Sequence, residues 1–438
     1  MPEFPAGFRW GVSTSAYQIE GGVDENGRGA SIWDTFAHTP GRIADGSTGD
    51  VACDHYHRHA EDVALLAGLG VSAYRFSIAW PRVRPTGDGP VDTRGLDFYD
   101  RLVDDLLAHG VDPVATLFHW DLPQALEDAG GWLNRDTAHR FAEYADATAA
   151  RLGDRVKLWI TLNEPFIHMS LGHGTGEHAP GRTLLFDAFP VAHHQLLAHG
   201  LAVAALRART ASPVAIANNY SPVRPAGDTD ADRAAVAAYE ALHNRLFTDP
   251  LFGRGYPAEL GFDTAVVRAG DLDVIAAPID VLGVNYYNPT GVRAPQEDSP
   301  LPFEFVPLDG YPRTAFDWPV APDGLRELLG WLHRTYADDL PPIQVTESGC
   351  AYDDAPDADG RVHDPERIAY LDGHLRAVGA AMAEGVDVTG YFVWSLLDNW
   401  EWAEGFTKRF GLVHVDFDTQ LRTPKSSYAW FRDLIARP

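Results

Sequence analysis

The sequence predicts an α/β fold, a single (β/α)8 barrel with long βα loops around one face. Three observations predict it. Short β-like runs alternate with longer helical stretches about eight times, the pattern of successive βαβ units that close a parallel sheet. No Ser/Gly-rich linker or change of composition divides the 438 residues, so 1–438 is read as one domain. Most of the β-like runs end in polar or aromatic residues, which a barrel gathers at its mouth.

The elements follow in order, each strand an apolar run bounded by breakers and each helix a stretch of helical periodicity. Residues 9–15 form the first strand and, after a turn-rich segment, 55–69 the first helix. Strand 73–80 precedes helix 96–109, strand 113–120 precedes helix 137–152, and strand 158–163 precedes helix 186–209. Strand 214–219 is paired with helix 231–252, strand 281–287 with 325–336, strand 343–347 with 365–383, and strand 389–395 with 426–435. Segments 21–51, 172–183, 290–319 and 352–364 are rich in Gly, Pro and Asp and too long to be simple connectors, so they are expected to wall the active face. The Asp-rich stretch 353–364 lacks the spacing and closing Glu of an EF-hand and is expected to be a solvated surface loop.

Composition narrows the function classes. Hydrophobic residues make up 45% and aromatics 11%, enough for a large core, and no apolar run approaches the roughly 18 residues of a membrane span. A formal charge of −27 repels phosphate backbones and anionic lipid heads, so nucleic acid and membrane partners are not expected. The start, Met1-Pro-Glu-Phe-Pro-Ala-Gly-Phe8, is neither basic nor apolar enough for a secretory signal, and a cytoplasmic location is expected. Cys53 and Cys350 lie far apart without metal-ligand spacing, which fits free thiols in a reducing compartment. Asp54, His55, His57 and His59 resemble a metal cluster, yet they open a predicted helix rather than end a strand; they and His193-His194 are read as structural or surface residues, with no metal and no cofactor.

The chemistry is carried by Glu164 in Thr161-Leu-Asn-Glu164-Pro and Glu347 in Val345-Thr-Glu347-Ser-Gly, 183 residues further on. Each ends an apolar run, on the fourth and seventh predicted strands. A pair of carboxyls is what glycosidic cleavage needs: one donates a proton to the leaving oxygen while the other, ionised, attacks or stabilises the anomeric carbon. Alone, either is as well read as a buried carboxylate paired with Arg.

These motifs make the chain resemble glycoside hydrolase family 1, the β-glucosidase family of retaining TIM-barrel enzymes. The resemblance also rests on Phe8-Arg-Trp-Gly-Val-Ser-Thr-Ser-Ala-Tyr-Gln-Ile-Glu20-Gly-Gly and spans nearly the whole chain. One position departs from the pattern: Ser348 stands where the nucleophile motif usually carries Asn. The resemblance implies Glu164 as acid/base and Glu347 as nucleophile, with Arg75 and Tyr287 donating to Glu347 and keeping it ionised, and Asn163 on the sugar's 2-hydroxyl. It implies a sugar pocket of Gln18, His119, Trp120, Trp394, Glu401 and Trp402, and aglycone contacts at His178 and Trp318. In a 6-phosphoglycoside branch Ser, Lys and Tyr grasp the phosphate; here Lys408 is kept, but Glu401 replaces the Ser and Phe410 the Tyr, which favours unphosphorylated glucose-type sugars.

The expected substrates are cellobiose, short cello-oligosaccharides and aryl or alkyl β-glucosides, with some action on galactosides and fucosides and a place in cellulose degradation. The alternatives are a transglycosylating β-glycosidase and a sugar-binding barrel with weak catalysis. Oligomeric state is left open between monomer and homo-oligomer.

Overall fold

The computed structural model describes residues 2–262 and 264–437. Eight parallel strands close a barrel in sequential order: β1 Arg9–Ser13, β2 Ala73–Ser77, β3 Asp112–Phe118, β4 Leu158–Asn163, β5 Val214–Asn219, β6 Val281–Asn285, β7 Ile343–Ser348 and β8 Val388–Trp394. The seam is formed by the first and last strands, with Arg9 opposite Gly390 and Ser13 opposite Trp394.

Eight principal helices pack outside: α1 His55–Leu69, α2 Thr93–Ala108, α3 Asp136–Leu152, α4 Phe189–Arg207, α5 Asp230–Glu240, α6 Pro322–Tyr336, α7 Pro365–Ala383 and α8 Ser426–Ile435. Local chemistry fixes several starts. Asp92 accepts from the Arg94 amide at the head of α2, Thr229 and Asp232 form a capping box on α5, and Pro opens α6 and α7 where its missing N–H costs nothing.

The predicted elements correspond one to one with these, with ends that shift by a few residues; the loop expected over 21–51 holds a short helix at Ile32–Ala37, and three other places differ more. The helix expected over 231–252 stops at Glu240, passes through a wider π turn at Ala241–Arg245 and ends in a 3-10 turn at Pro250–Phe252. Segment 290–319 contains two short strands, Thr290–Arg293 and Glu304–Val306, which join Val223–Pro225 in a small sheet against α5. The solvated loop expected over 353–364 is solvated only in the middle: Asp357 and Asp359 are exposed, but Asp354 and Asp364 are buried on Arg367, and Asp354 also takes Lys425. Buried cations on flanking elements, which the local sequence does not show, draw the two ends inward.

The barrel floor is packed by Ala73, Val114, Leu158, Ile160, Ala215, Ala217, Val281 and Phe392. Small residues make room for the one large ring: a Cβ at Gly11 would lie 2.3 Å from Phe392. The floor is thus solid, and the open space lies at the C-terminal ends of the strands. The histidines of α1 and α4 lie outside the barrel strands: His55 bonds Asp62 at 2.8 Å, His57 bonds Asp54 and Glu25 at the surface, and His193 bonds Asp271. Among the described residues no helix is long and apolar enough to cross a membrane.

Candidate active site

Two local distortions aim the carboxyls. β4 runs into Pro165, which opens a short helix at Pro165–Met169, and Glu164 between them takes a left-handed backbone, φ 43°. A residue before Pro is already steered from the right-handed helical region, so the strand turns sharply and lifts the Glu164 side chain over the mouth. On β7 the pairing slips between Val345 and Glu347 against β6, and between Val345 and Ser348 against β8. Such a bulge re-aims one side chain, and it turns Glu347 inward. Trp120 and Trp402 are also left-handed, φ 77° and 47°. Non-glycine residues in that region cost about 1–3 kcal/mol each and persist where the surroundings over-determine them, as they do around this one cavity.

Glu164 and Glu347 line a cavity of about 450 Å³ together with His119, Trp120, Tyr287, Trp394, Glu401, Trp402 and Phe410. The bonding of the two carboxyls differs. Glu347 is gripped by cationic and phenolic donors: Arg75 Nη1 donates to Oε1 at 2.5 Å and Tyr287 Oη to Oε2 at 2.7 Å. Arg75 itself is locked, with Nη2 on Asn163 Oδ1 at 2.6 Å and Nε on Thr116 Oγ1 at 3.1 Å. Glu164 has only amide donors, Asn285 Nδ2 at 2.9 Å and Asn219 Nδ2 at 3.0 Å, both on Oε1.

Burial pushes the Glu164 carboxyl up to about 8, and the charge of Glu347 adds to the effect. Glu401 is likewise pushed to about 8, first by burial and then by Glu347. Arg75 and Tyr287 both favour the ionised form of Glu347, as donors to a carboxylate do. Burial outweighs Arg75, Tyr287 and Asn285, and Glu347 sits above the ordinary carboxylate value. Its donors moderate the rise without reversing it.

The other expected residues gather at the same mouth. Gln18, fully buried, donates from Nε2 to Glu401 Oε2 at 3.1 Å and is oriented by Ser15 Oγ on its Oε1 at 2.6 Å. Asn163 donates toward His119 Nε2 at 3.0 Å, and Trp120 Nε1 donates to the Asn163 carbonyl at 2.9 Å. The His119 ring lies between Trp394 and Trp402, with centroids 5.7 and 5.8 Å away. Trp394 packs with Phe410, Tyr287 and Trp318 on one wall, and Trp318 stacks on Phe316 at 4.4 Å. His178 lies against Trp33 and Trp120. Ser348, the departure from the family pattern, points the other way along the strand: its hydroxyl meets Tyr370 Oη at 3.3 Å, away from the Glu347 carboxyl.

Sequence reasoning missed Asn219, Asn285 and His243. The first two end β5 and β6 as polar residues closing apolar runs, the signal already used for Glu164. His243 carried no such signal, because it belongs to the π turn after α5.

The glycosyl hydrolase family 1 model matches residues 1–438. The thermostable β-glucosidase B of Thermobispora bispora is 51% identical over 443 residues, covering 99% of this chain and 91% of that protein. A bifunctional β-D-glucosidase/β-D-fucosidase of Bifidobacterium breve is 47% identical over 459 residues, covering 99% of this chain and 98% of that one. The solved family 1 β-glucosidase of Thermotoga maritima superposes with a TM-score of 0.96 at 44% identity, covering 99% and 98% of the two chains.

Proposed function

The chain belongs to glycosyl hydrolase family 1, and from that premise we propose that it is a retaining β-glucosidase releasing terminal glucose from cellobiose, short cello-oligosaccharides and aryl or alkyl β-glucosides. The observation that carries the reading is the unequal bonding of two carboxyls on one cavity, Glu347 on a guanidinium and a phenol, Glu164 on amides alone. Glu347 is the nucleophile: Arg75 and Tyr287 stabilise its ionised form and leave the carboxylate facing the anomeric carbon. Glu164, held protonated by burial and by that neighbouring charge, protonates the leaving oxygen. Once the sugar is esterified to Glu347 the negative neighbour is gone, so Glu164 acidifies and takes a proton from the incoming water.

Retention asks for carboxyls about 5 Å apart. Both carboxyls lie close to one small amide: Asn285 bonds Glu164 Oε1 at 2.9 Å and stands opposite Glu347 in the register of β6 and β7. In the proposed complex Gln18 and Glu401 hold the 4- and 6-hydroxyls, and His119 and Asn163 hold the 2- and 3-hydroxyl edge, with Trp120 lining that wall and its N–H on the Asn163 carbonyl. Trp394 lies under the ring face, while Trp402 turns its indole N–H to a hydroxyl. His178 and Trp318 meet the aglycone. Galactosides and fucosides are side substrates, in keeping with the dual activity named for the Bifidobacterium relative. A cytoplasmic place in cello-oligosaccharide breakdown is supported by the two buried free thiols and the small, neutral character of the substrate.

The test is nitrophenyl β-glucoside hydrolysis by the intact chain and by Glu347→Gly, with azide added to the variant. Turnover by the intact chain and azide rescue to the α-glucosyl azide are expected. Binding without nitrophenol release, or turnover untouched by the substitution, would refute the assignment.

A further inference from the structure

Glu164 Oε1 accepts two N–H groups, and both amides that supply them are held from behind. Asn285 is fixed by Thr346 Oγ1, which donates to its Oδ1 at 2.7 Å, and by its own second bond to Asn163 Oδ1 at 2.9 Å. Asn219 is fixed by a longer chain. Its Oδ1 lies 2.8 Å from His243 Nε2, and His243 Nδ1 lies 2.8 Å from Tyr239 Oη.

The polarity of this chain follows from elementary valence. Asn219 can donate to Glu164 only through Nδ2, which leaves Oδ1, an acceptor, facing His243. His243 Nε2 must therefore carry hydrogen. The ring is buried and its basicity is driven down to about 3, so it is neutral and Nδ1 is an acceptor, which makes Tyr239 the donor. Every hydrogen points the same way, from Tyr239 through His243 and Asn219 to Glu164 Oε1. With both lone pairs of Oε1 engaged, the acid proton of Glu164 belongs on Oε2, which has no protein partner among the described residues.

We propose that Tyr239 and His243 are positioning residues for the reaction: they lock the Asn219 amide with its N–H on Glu164 Oε1 and thereby keep the transferable proton on Oε2, facing the leaving group. Without His243 the Asn219 amide is free to rotate, and its carbonyl then offers Oε1 a partner for the proton, drawing it away from the cavity. The inference rests on Glu164 being the acid/base. Neither residue is part of a barrel strand. Tyr239 sits on α5 with its ring against Phe303 and Phe305 of the small sheet, centroids 4.9 and 5.2 Å away, and His243 lies over the Phe166 ring at 4.3 Å. Besides His243, the charged and titratable groups on the cavity with Glu164 include Glu347, Glu401, Glu404, Glu177, Tyr287, His119 and His178, with Arg75 behind Glu347, and all of these are unchanged in the variants below.

The test compares intact enzyme with His243→Leu, His243→Gln and Tyr239→Phe on two substrates, a dinitrophenyl β-glucoside, whose leaving group needs no proton, and an alkyl β-glucoside, whose leaving group does. For His243→Leu, kcat/KM on the alkyl glucoside is expected to fall about tenfold or more while the dinitrophenyl value stays within about threefold. Loss of a donor to the carboxylate raises the Glu164 pKa, so the alkaline limb of kcat/KM moves up by about half a pH unit or more. His243→Gln, whose amide N–H reaches the place of Nε2, is expected to restore most of both. Tyr239→Phe keeps the packed ring and is expected to move both readouts the same way by less, and it decides the matter should His243→Leu fail to fold. Equal losses on the two substrates, an unmoved alkaline limb, or Gln behaving as Leu would overturn the proposal. If the intact chain hydrolyses neither glucoside, the reading of Glu164 as acid/base fails; an active intact enzyme with indifferent variants overturns the chain alone.

Discussion

Replacing Tyr287 by Phe isolates one interaction of Glu347, the proposed nucleophile. The half-buried ring packs against Phe410, Trp318 and Trp394, so it stays in place and only the 2.7 Å bond to Glu347 Oε2 is lost. A hydrogen bond to an ionised group contributes about 1.5–3 kcal/mol. Because the phenol donates, it stabilises the ionised form; at about 1.4 kcal/mol per pKa unit its loss raises the Glu347 pKa by about one to two units. Glu347 must be ionised to attack, so the acid limb of kcat/KM moves up by that amount while the alkaline limb, set by Glu164 near 8, is held nearly in place. The bell narrows from the acid side and its summit falls. The assay is nitrophenyl β-glucoside hydrolysis from pH 4 to 10 at substrate well below KM. An acid limb that stays still or moves down would show that Tyr287 does not stabilise the nucleophile's charge.

Glu401→Gln is expected to trade function for stability. Its folded pKa, about 8, lies above the unfolded value of about 4.3, so unfolding releases a proton between those pH values and stability falls as pH rises through the window. The Gln variant lacks that fall, and thermal unfolding should show its advantage over the parent growing from pH 5 to pH 9, while kcat/KM on glucosides drops about a hundredfold or more; a constant difference in Tm would refute it. Arg75→Met leaves Glu347 buried without its cation and is expected to destabilise by about 3–5 kcal/mol in denaturant melts, with an unchanged midpoint as the refuting result. Lys408 is spent on the Ala315 carbonyl at 3.0 Å and Glu401 faces the cavity, so nitrophenyl 6-phosphoglucosides should turn over about a thousandfold more slowly than plain glucosides. Comparable rates would refute that reading of Glu401.

The barrel could be read from the sequence because its eight strands and helices differ in period and each is long enough to show it. The prediction overran at 231–252 because an alanine-rich helix and the π turn that follows it share one pattern, and only Pro250 hints at a break. Glu164 and Glu347 stood out as charges ending apolar runs. The basicity of Glu347 did not, since a sequence shows donors but not how deeply the site is closed. Buried Asp354 and Asp364 were hidden for the same reason in reverse: their partners Arg367 and Lys425 come from outside the loop. His243 meets Asn219 from an outer turn, and no local pattern announces that meeting.

The seam between β1 and β8 has a consequence for how the molecule is made. Arg9–Ser13 is made before the six strands that separate it in sequence from its partner, Gly390–Trp394. The closing contacts lie later still, where Arg422 bonds Asp62 at 3.0 Å and the Tyr428 hydroxyl bonds the Leu65 carbonyl at 2.6 Å, tying α8 back to α1. One edge of the first strand therefore waits, unpaired, while six further strands are made, a long interval during which it can recruit other chains. The same adjacency suits the fold to circular permutation: linking α8 to β1 and reopening the ring elsewhere would shorten that wait without altering a single residue at the mouth.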